Sequence, residues 1–131
     1  LYAFVRENAT LFDRYEDAAF AIPGEQDKRY SDHAPVTLRG AEQASTFVRA
    51  IPGEPERPTV IHLVDWSDSP QAFEVHLEPR RFAGSGQLRA TLLRPDQEPS
   101  ELPITRREEE LVLQIPPLSP WAIIRLDREG A

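Results

Sequence analysis

From about residue 36 onward, apolar and polar positions recur in short runs with a period of two. In Phe73-Glu74-Val75-His76-Leu77-Glu78 the apolar side chains fall on odd positions. Leu111-Val112-Leu113-Gln114-Ile115 repeats the pattern, with Val112 interrupting the polar set. Successive strand residues point to opposite faces, so such runs present one face to a core and one to water, as antiparallel sheets do. Val60-Ile61-His62-Leu63-Val64 and Trp121-Ala122-Ile123-Ile124 are almost wholly apolar, which predicts central strands covered on both faces. Strands are expected over 36–39, 45–51, 59–65, 71–78, 87–94, 110–115 and 121–126. Turn residues separate them: Pro52-Gly53, Ser67-Asp68-Ser69-Pro70, Gly84-Ser85-Gly86, Pro95-Asp96 and Pro116-Pro117. Short strands at this spacing predict a mainly β, antiparallel β-sandwich of about seven to eight strands.

The first fifteen residues follow a different rhythm. Tyr2, Val5, Ala9, Phe12 and Tyr15 recur at three- and four-residue steps and predict an amphipathic helix. A helix of this length does not stand alone in water, so its stripe requires a partner surface. The short apolar run Ala18–Ile22, read as a strand, is too small to cover it, and a surface supplied partly from outside the chain is expected. Residues 23–35 are polar and bounded by prolines, a loop or linker. The chain is thus divided into 1–35, a helix, short strand and linker at a boundary with a preceding domain, and 36–131, the sandwich. It begins at Leu1 inside the helical pattern and contains no Met, as expected of a segment excised from something longer.

Length and charge narrow the function. The 131 residues suffice for one domain with a single core. A formal charge of -7 and the absence of an extended basic stripe argue against a nucleic-acid partner. No apolar run approaches the roughly 18 residues of a membrane span, so no membrane partner is expected. With no Cys, disulfides, thiolate metal sites and cysteine nucleophiles are all excluded, and the compartment is left open between cytoplasm and exterior.

The candidate chemistry is sparse. His62, Asp65 and Trp66 lie within five positions, a grouping that suggests a base with its carboxylate orienter. Positions 62 and 65 have opposite parity on a strand, so their side chains are expected on opposite faces. The preferred reading is a central-strand histidine, an Asp65 that opens the turn, and a Trp66 that covers the end of the core. His33, His62 and His76 have no zinc-type spacing, the acidic loops have no EF-hand pattern, and no metal or cofactor is expected. Among 22 acidic residues some pair will meet the spacing of glycosidase carboxylates by chance, so such pairs carry little weight. Neither a nucleophile elbow nor a phosphate-binding loop is present. Trp66 and Trp121 are candidates for a sugar-stacking platform or for contacts with another domain, as are Tyr2 and Phe12.

Several stretches resemble the end of a multi-domain glycoside hydrolase: "VIHLVDWSD", "QAFEVHLEP", "LPITRREEELVLQIPPLSPWAIIRL" and the opening "YAFVRENATLFDRYEDAAFAI". In that family a catalytic barrel is followed by a C-terminal β-sandwich. His62-Leu63-Val64-Asp65-Trp66 resembles its H-x-V-N-Y/W strand, and Leu111–Leu126 its closing strand pair. Phe4, Arg6 and Asn8 resemble the helix that leaves the barrel. Asp65 stands where Asn is common, and Glu109-Glu110 where an Asp-Gly turn is common, which implies a wider hairpin. The resemblance implies an accessory domain whose partner is the parent's catalytic domain, with the catalytic carboxylates outside this chain. A barrel needs about 250 residues, more than are present. Two other readings stay open: a carbohydrate-binding module holding a glycan through Trp66 or Trp121, and a small enzyme built on Asp32 and His33. A second copy of the chain is a further candidate partner.

Overall fold

A computed structural model of the chain describes residues 2–12, 16–21, 36–40, 43–50, 57–78 and 87–129. Along these residues run a helix α1 (Tyr2–Glu7), a 3₁₀ turn (Ala9–Leu11) and the strands β1 (Glu16–Ala21), β2 (Val36–Arg39), β3 (Ala44–Ala50), β4 (Thr59–Asp65), β5 (Phe73–Leu77), β6 (Gln87–Leu93), β7 (Ser100–Leu102), β8 (Thr105–Arg107), β9 (Glu110–Ile115) and β10 (Trp121–Glu129). They form a six-stranded sheet in the order β1-β3-β4-β10-β6-β7 and a four-stranded sheet in the order β2-β5-β9-β8. Every pairing is antiparallel. The alternation therefore reads the architecture correctly, while β7 and β8, three residues each, are too short to display a period.

The core lies between the sheets. Ile61, Leu63, Leu92 and Ile124 from the larger sheet meet Val75, Leu77, Leu113 and Ile115 from the smaller one. Each of these side chains is essentially sealed from water, a burial worth about 1.5–3 kcal/mol per large apolar side chain. β4 and β10 are apolar on both faces for a second reason. Val60 and Ile123, of the opposite parity, are buried in a separate cluster with Phe4, Leu11 and Leu93. The N-terminal segment thus packs on the outer face of the larger sheet.

That segment differs from the expected fifteen-residue helix. The α-helix lasts from Tyr2 to Glu7 and is followed by a tighter 3₁₀ turn. The change of pitch falls at Asn8, whose side-chain amide donates to the Phe4 carbonyl at 2.9 Å. Such a local bond competes with continued helix. With the pitch broken, Phe4 and Leu11 are buried, and Val5, Ala9 and Phe12 are half-buried. The chain's own sheet supplies part of the surface that this segment requires, through Val60, Leu93 and Ile123. The Tyr2 side chain and Tyr15 lie outside the described residues, as does the 23–35 segment with Asp32 and His33.

The β8–β9 hairpin is tight, not wide. Arg107 pairs directly with Glu110, leaving a two-residue loop of Glu108 and Glu109. Glu108 takes the left-handed conformation with φ 57°, the geometry that two-residue hairpin loops impose on their first residue and that glycine adopts most easily. At one edge of the larger sheet, β1 carries a register shift between Asp17 and Ala19, a bulge of the kind that blunts exposed edges.

Candidate functional site

The His62-Asp65-Trp66 grouping is split by strand geometry. His62 faces outward from β4, its ring stacked on Trp121 with centroids 6.0 Å apart and planes at 11°. Phe12 meets the same imidazole edge-on at 5.6 Å. Asp65 has the parity of Ile61 and Leu63 and is buried. Its Oδ1 accepts the Ser67 N–H at 2.9 Å, and its own N–H donates to the Pro120 carbonyl at 2.9 Å. This Asx turn is the role expected of Asp65, performed by a carboxylate where an amide is common. On opposite faces of the sheet, His62 and Asp65 cannot work as a base and its orienter.

Trp66 departs from expectation. It does not cover the core but is 70% exposed. Its parity is that of His62 and Val64, so it belongs to the outer face, one step beyond the last paired residue of β4. Its N–H still reaches the Gln43 carbonyl at 3.4 Å, which holds the backbone to the neighbouring strand. Trp121 has another setting. It is half-buried, with Phe4 edge-on at 5.1 Å and 80° and Phe12 tilted at 6.1 Å. Trp121 pairs with Val64, so the two indoles lie near the same end of one sheet face. Trp66 is the open one, and Trp121 is held in the aromatic cluster under the N-terminal segment.

Among the described residues, a dense polar cluster lies on the outer face of the smaller sheet. Alternation along β5 puts Glu74 and His76 on this face, and the register brings Gln114 opposite Glu74. His76 is only 7% exposed at its side chain, with Nε2 at 3.0 Å from a Glu74 oxygen and Nδ1 at 3.3 Å from Glu110. A neutral imidazole carries one N–H, so only the doubly protonated ring donates to both carboxylates at once. Arg107 Nη1 donates to Glu74 at 3.2 Å, and Gln114 Nε2 donates at 2.7 Å. These bonds, with that of Gln114 first and that of His76 next, hold the Glu74 carboxyl at about 2 against its usual 4.5, although partial burial opposes them. A carboxylate engaged by three donors is a poor acid and a poor base. The cluster ties β5, β8 and β9 together. The outward alternation of Glu74 and His76 is legible in the sequence. Their meeting with Arg107, Glu110 and Gln114 depends on strand order, which local patterns do not carry.

Among the described residues no group of three or more His, Asp or Glu side chains is arranged to hold a metal ion. Nor is any described helix long and apolar enough to cross a membrane.

Comparison with known proteins bears on the fold. No family profile and no curated protein sequence matches the chain. Among solved structures it is similar to the alpha-L-fucosidase isoenzyme 2 from Paenibacillus thiaminolyticus, with a TM-score of 0.52 and 15% sequence identity. The likeness covers 79% of this chain and 16% of that one. At this identity it shows a shared fold.

Proposed function

We propose that this chain is a non-catalytic β-sandwich of a glycoside hydrolase, supporting the catalytic barrel or the contacts between subunits of its parent. The observation that carries the reading is the likeness of most of the chain to a small part, 16%, of a much longer fucosidase. The state of the polar groups supports it. His62 and Asp65 face opposite ways, and Glu74 is held ionised by three donors. On this reading the parent hydrolyses O-glycosidic bonds with a carboxylate pair on its barrel. Trp66, 70% exposed, and Phe47, 41% exposed, are the large apolar side chains most open among the described residues. They are suited to contact with the barrel, since aromatic residues are enriched at interface cores. Calorimetry of the parent tests this. Sandwich and barrel should unfold in one transition that separates into two when Trp66 and Phe47 are both replaced by Ala. A parent whose two parts melt independently from the outset would overturn the reading.

One observation favours a second reading, a glycan-binding module. The open indole of Trp66 is mounted on a backbone fixed by the Asp65 turn, and an aromatic face of this kind can take the apolar face of a sugar. Retention on immobilised polysaccharides that disappears with Trp66→Ala would support it. Unchanged retention would remove Trp66 from the account.

A further inference from the structure

Between the N-terminal helix and the β6–β7 connection lies an open groove of about 360 Å³. Its floor is Phe4 and Leu93, both nearly buried, and its walls carry Arg94, Asp96, Gln97 and Glu98, with Asn8 opposite. The wall is a formed turn. The Gln97 N–H donates to the Arg94 carbonyl at 3.3 Å, and Asp96 takes φ 60° within it. Two details set this place apart from an ordinary surface dent. The Arg94 Nε is shielded from solvent and has no hydrogen-bond partner among the described residues, an unfavourable state for a charged donor. Asn8 donates through Nδ2 to the Phe4 carbonyl, which leaves its side-chain oxygen as an acceptor at the groove.

We propose that this groove is a binding subsite for a neutral, hydroxyl-rich ring, a sugar residue, at a position separate from Trp66. The charges exclude an anion, because one guanidinium is outnumbered by the Asp96 and Glu98 carboxylates. A simple cation would meet Arg94 and make no use of the Gln97 amide donors. A hydroxyl group both donates and accepts, so a ring bearing several can give to Asp96, Glu98 and Asn8 while accepting from Gln97 and Arg94. A small movement of the Arg94 side chain toward such a hydroxyl would also supply the partner that its Nε lacks. The Phe4 and Leu93 floor matches the C–H face of a sugar ring. The volume lies at the low end of small-molecule pockets, about 300–1,000 Å³, which suits one or two sugar units and not a long chain. The site stands on residues different from those of the proposed accessory role, so either can fail alone.

The test is an NMR titration of the full chain with D-glucose, D-galactose, L-fucose and cellobiose, with D-glucuronate as the anionic comparison. At least one neutral probe should give saturable shifts centred on residues 94–98. Loss of one charge-assisted hydrogen bond should weaken binding about tenfold or more in Arg94→Met. Gln97→Ala should weaken it severalfold, and Trp66→Ala should leave it unchanged. Thermal melting checks the fold of each variant. If Arg94→Met does not fold, Gln97→Ala, an exposed turn position, decides alone. The proposal is overturned if no neutral probe shifts residues 94–98, if glucuronate alone binds, if the folded variants bind as well as the native chain, or if Trp66→Ala removes the shifts.

Discussion

Replacing Trp121 with Ala should release the N-terminal segment from the sheet. The indole sits at the centre of the outer aromatic cluster, stacked on His62 at 6.0 Å and met edge-on by Phe4 at 5.1 Å. Truncating a fully buried Trp costs about 3–5 kcal/mol. Trp121 is half-buried, so about half of that, near 2 kcal/mol, is the share from lost packing. The ring pairs with His62 and Phe4 add about 0.5–1.5 kcal/mol each, partly overlapping the packing share. A total loss of about 2–4 kcal/mol follows. For 131 residues the unfolding entropy near the midpoint is about 0.28 kcal/mol/K, so Tm should fall by about 7–14 °C. Differential scanning calorimetry reads the total, and hydrogen exchange at residues 4–12 reads its location. A loss under about 0.5 kcal/mol with unchanged protection of residues 4–12 would refute the reading that Trp121 anchors this segment.

Two further outcomes follow from local geometry. Glu74 has its folded pKa lowered to about 2 from 4.5, so its contribution to stability is complete above about 4.5 and is lost as pH falls from there toward 2. Glu74→Gln should flatten the stability–pH curve across that window, and an unchanged slope would show that the cluster with Gln114, His76 and Arg107 does not form in solution. Glu108→Gly should raise stability by about 0.5–1 kcal/mol, because Gly enters the left-handed region that Glu108 occupies at φ 57° without steric cost. Urea unfolding measures it, and a loss of stability would mean that the hairpin loop has another conformation.

The period-two runs carried most of the fold. The expected strands at 36–39 and 59–65 match β2 and β4 residue for residue, because turn residues bracket both runs: Pro35 and Gly40 the first, Pro58 and Ser67-Asp68-Ser69-Pro70 the second. In β4, apolar on both faces, the structure separates the two: Ile61 and Leu63 lie inward, Val60 and His62 outward. The same parity, extended one step, puts Trp66 outward with His62, which the expectation of a core-closing Trp66 overlooked. The N-terminal helix was overextended because Tyr2, Val5, Ala9 and Phe12 keep a helical step through Asn8, while the Asn8 bond to the Phe4 carbonyl breaks the pitch locally. β7 and β8 escaped because three residues give no period, and β8, Thr105–Arg107, is exposed throughout. The Glu74–His76 cluster and the Arg94 groove both join residues distant in sequence. Each depends on which strands become neighbours, a property of the whole topology and not of any window along the chain.

The central claim is that the carboxylates of this sandwich are structural and that glycoside turnover belongs to the rest of the parent. The most direct measurement is the specific turnover of aryl glycosides by the parent enzyme carrying Glu74→Gln, Asp65→Asn or Glu110→Gln, each compared at equal folded concentration. General acid–base groups contribute about 10²–10⁴-fold to rate. The account predicts kcat within about twofold of native for every folded variant. A loss of about 100-fold or more in any one of them, with its melting curve unchanged, would place the chemistry in this chain and contradict the account.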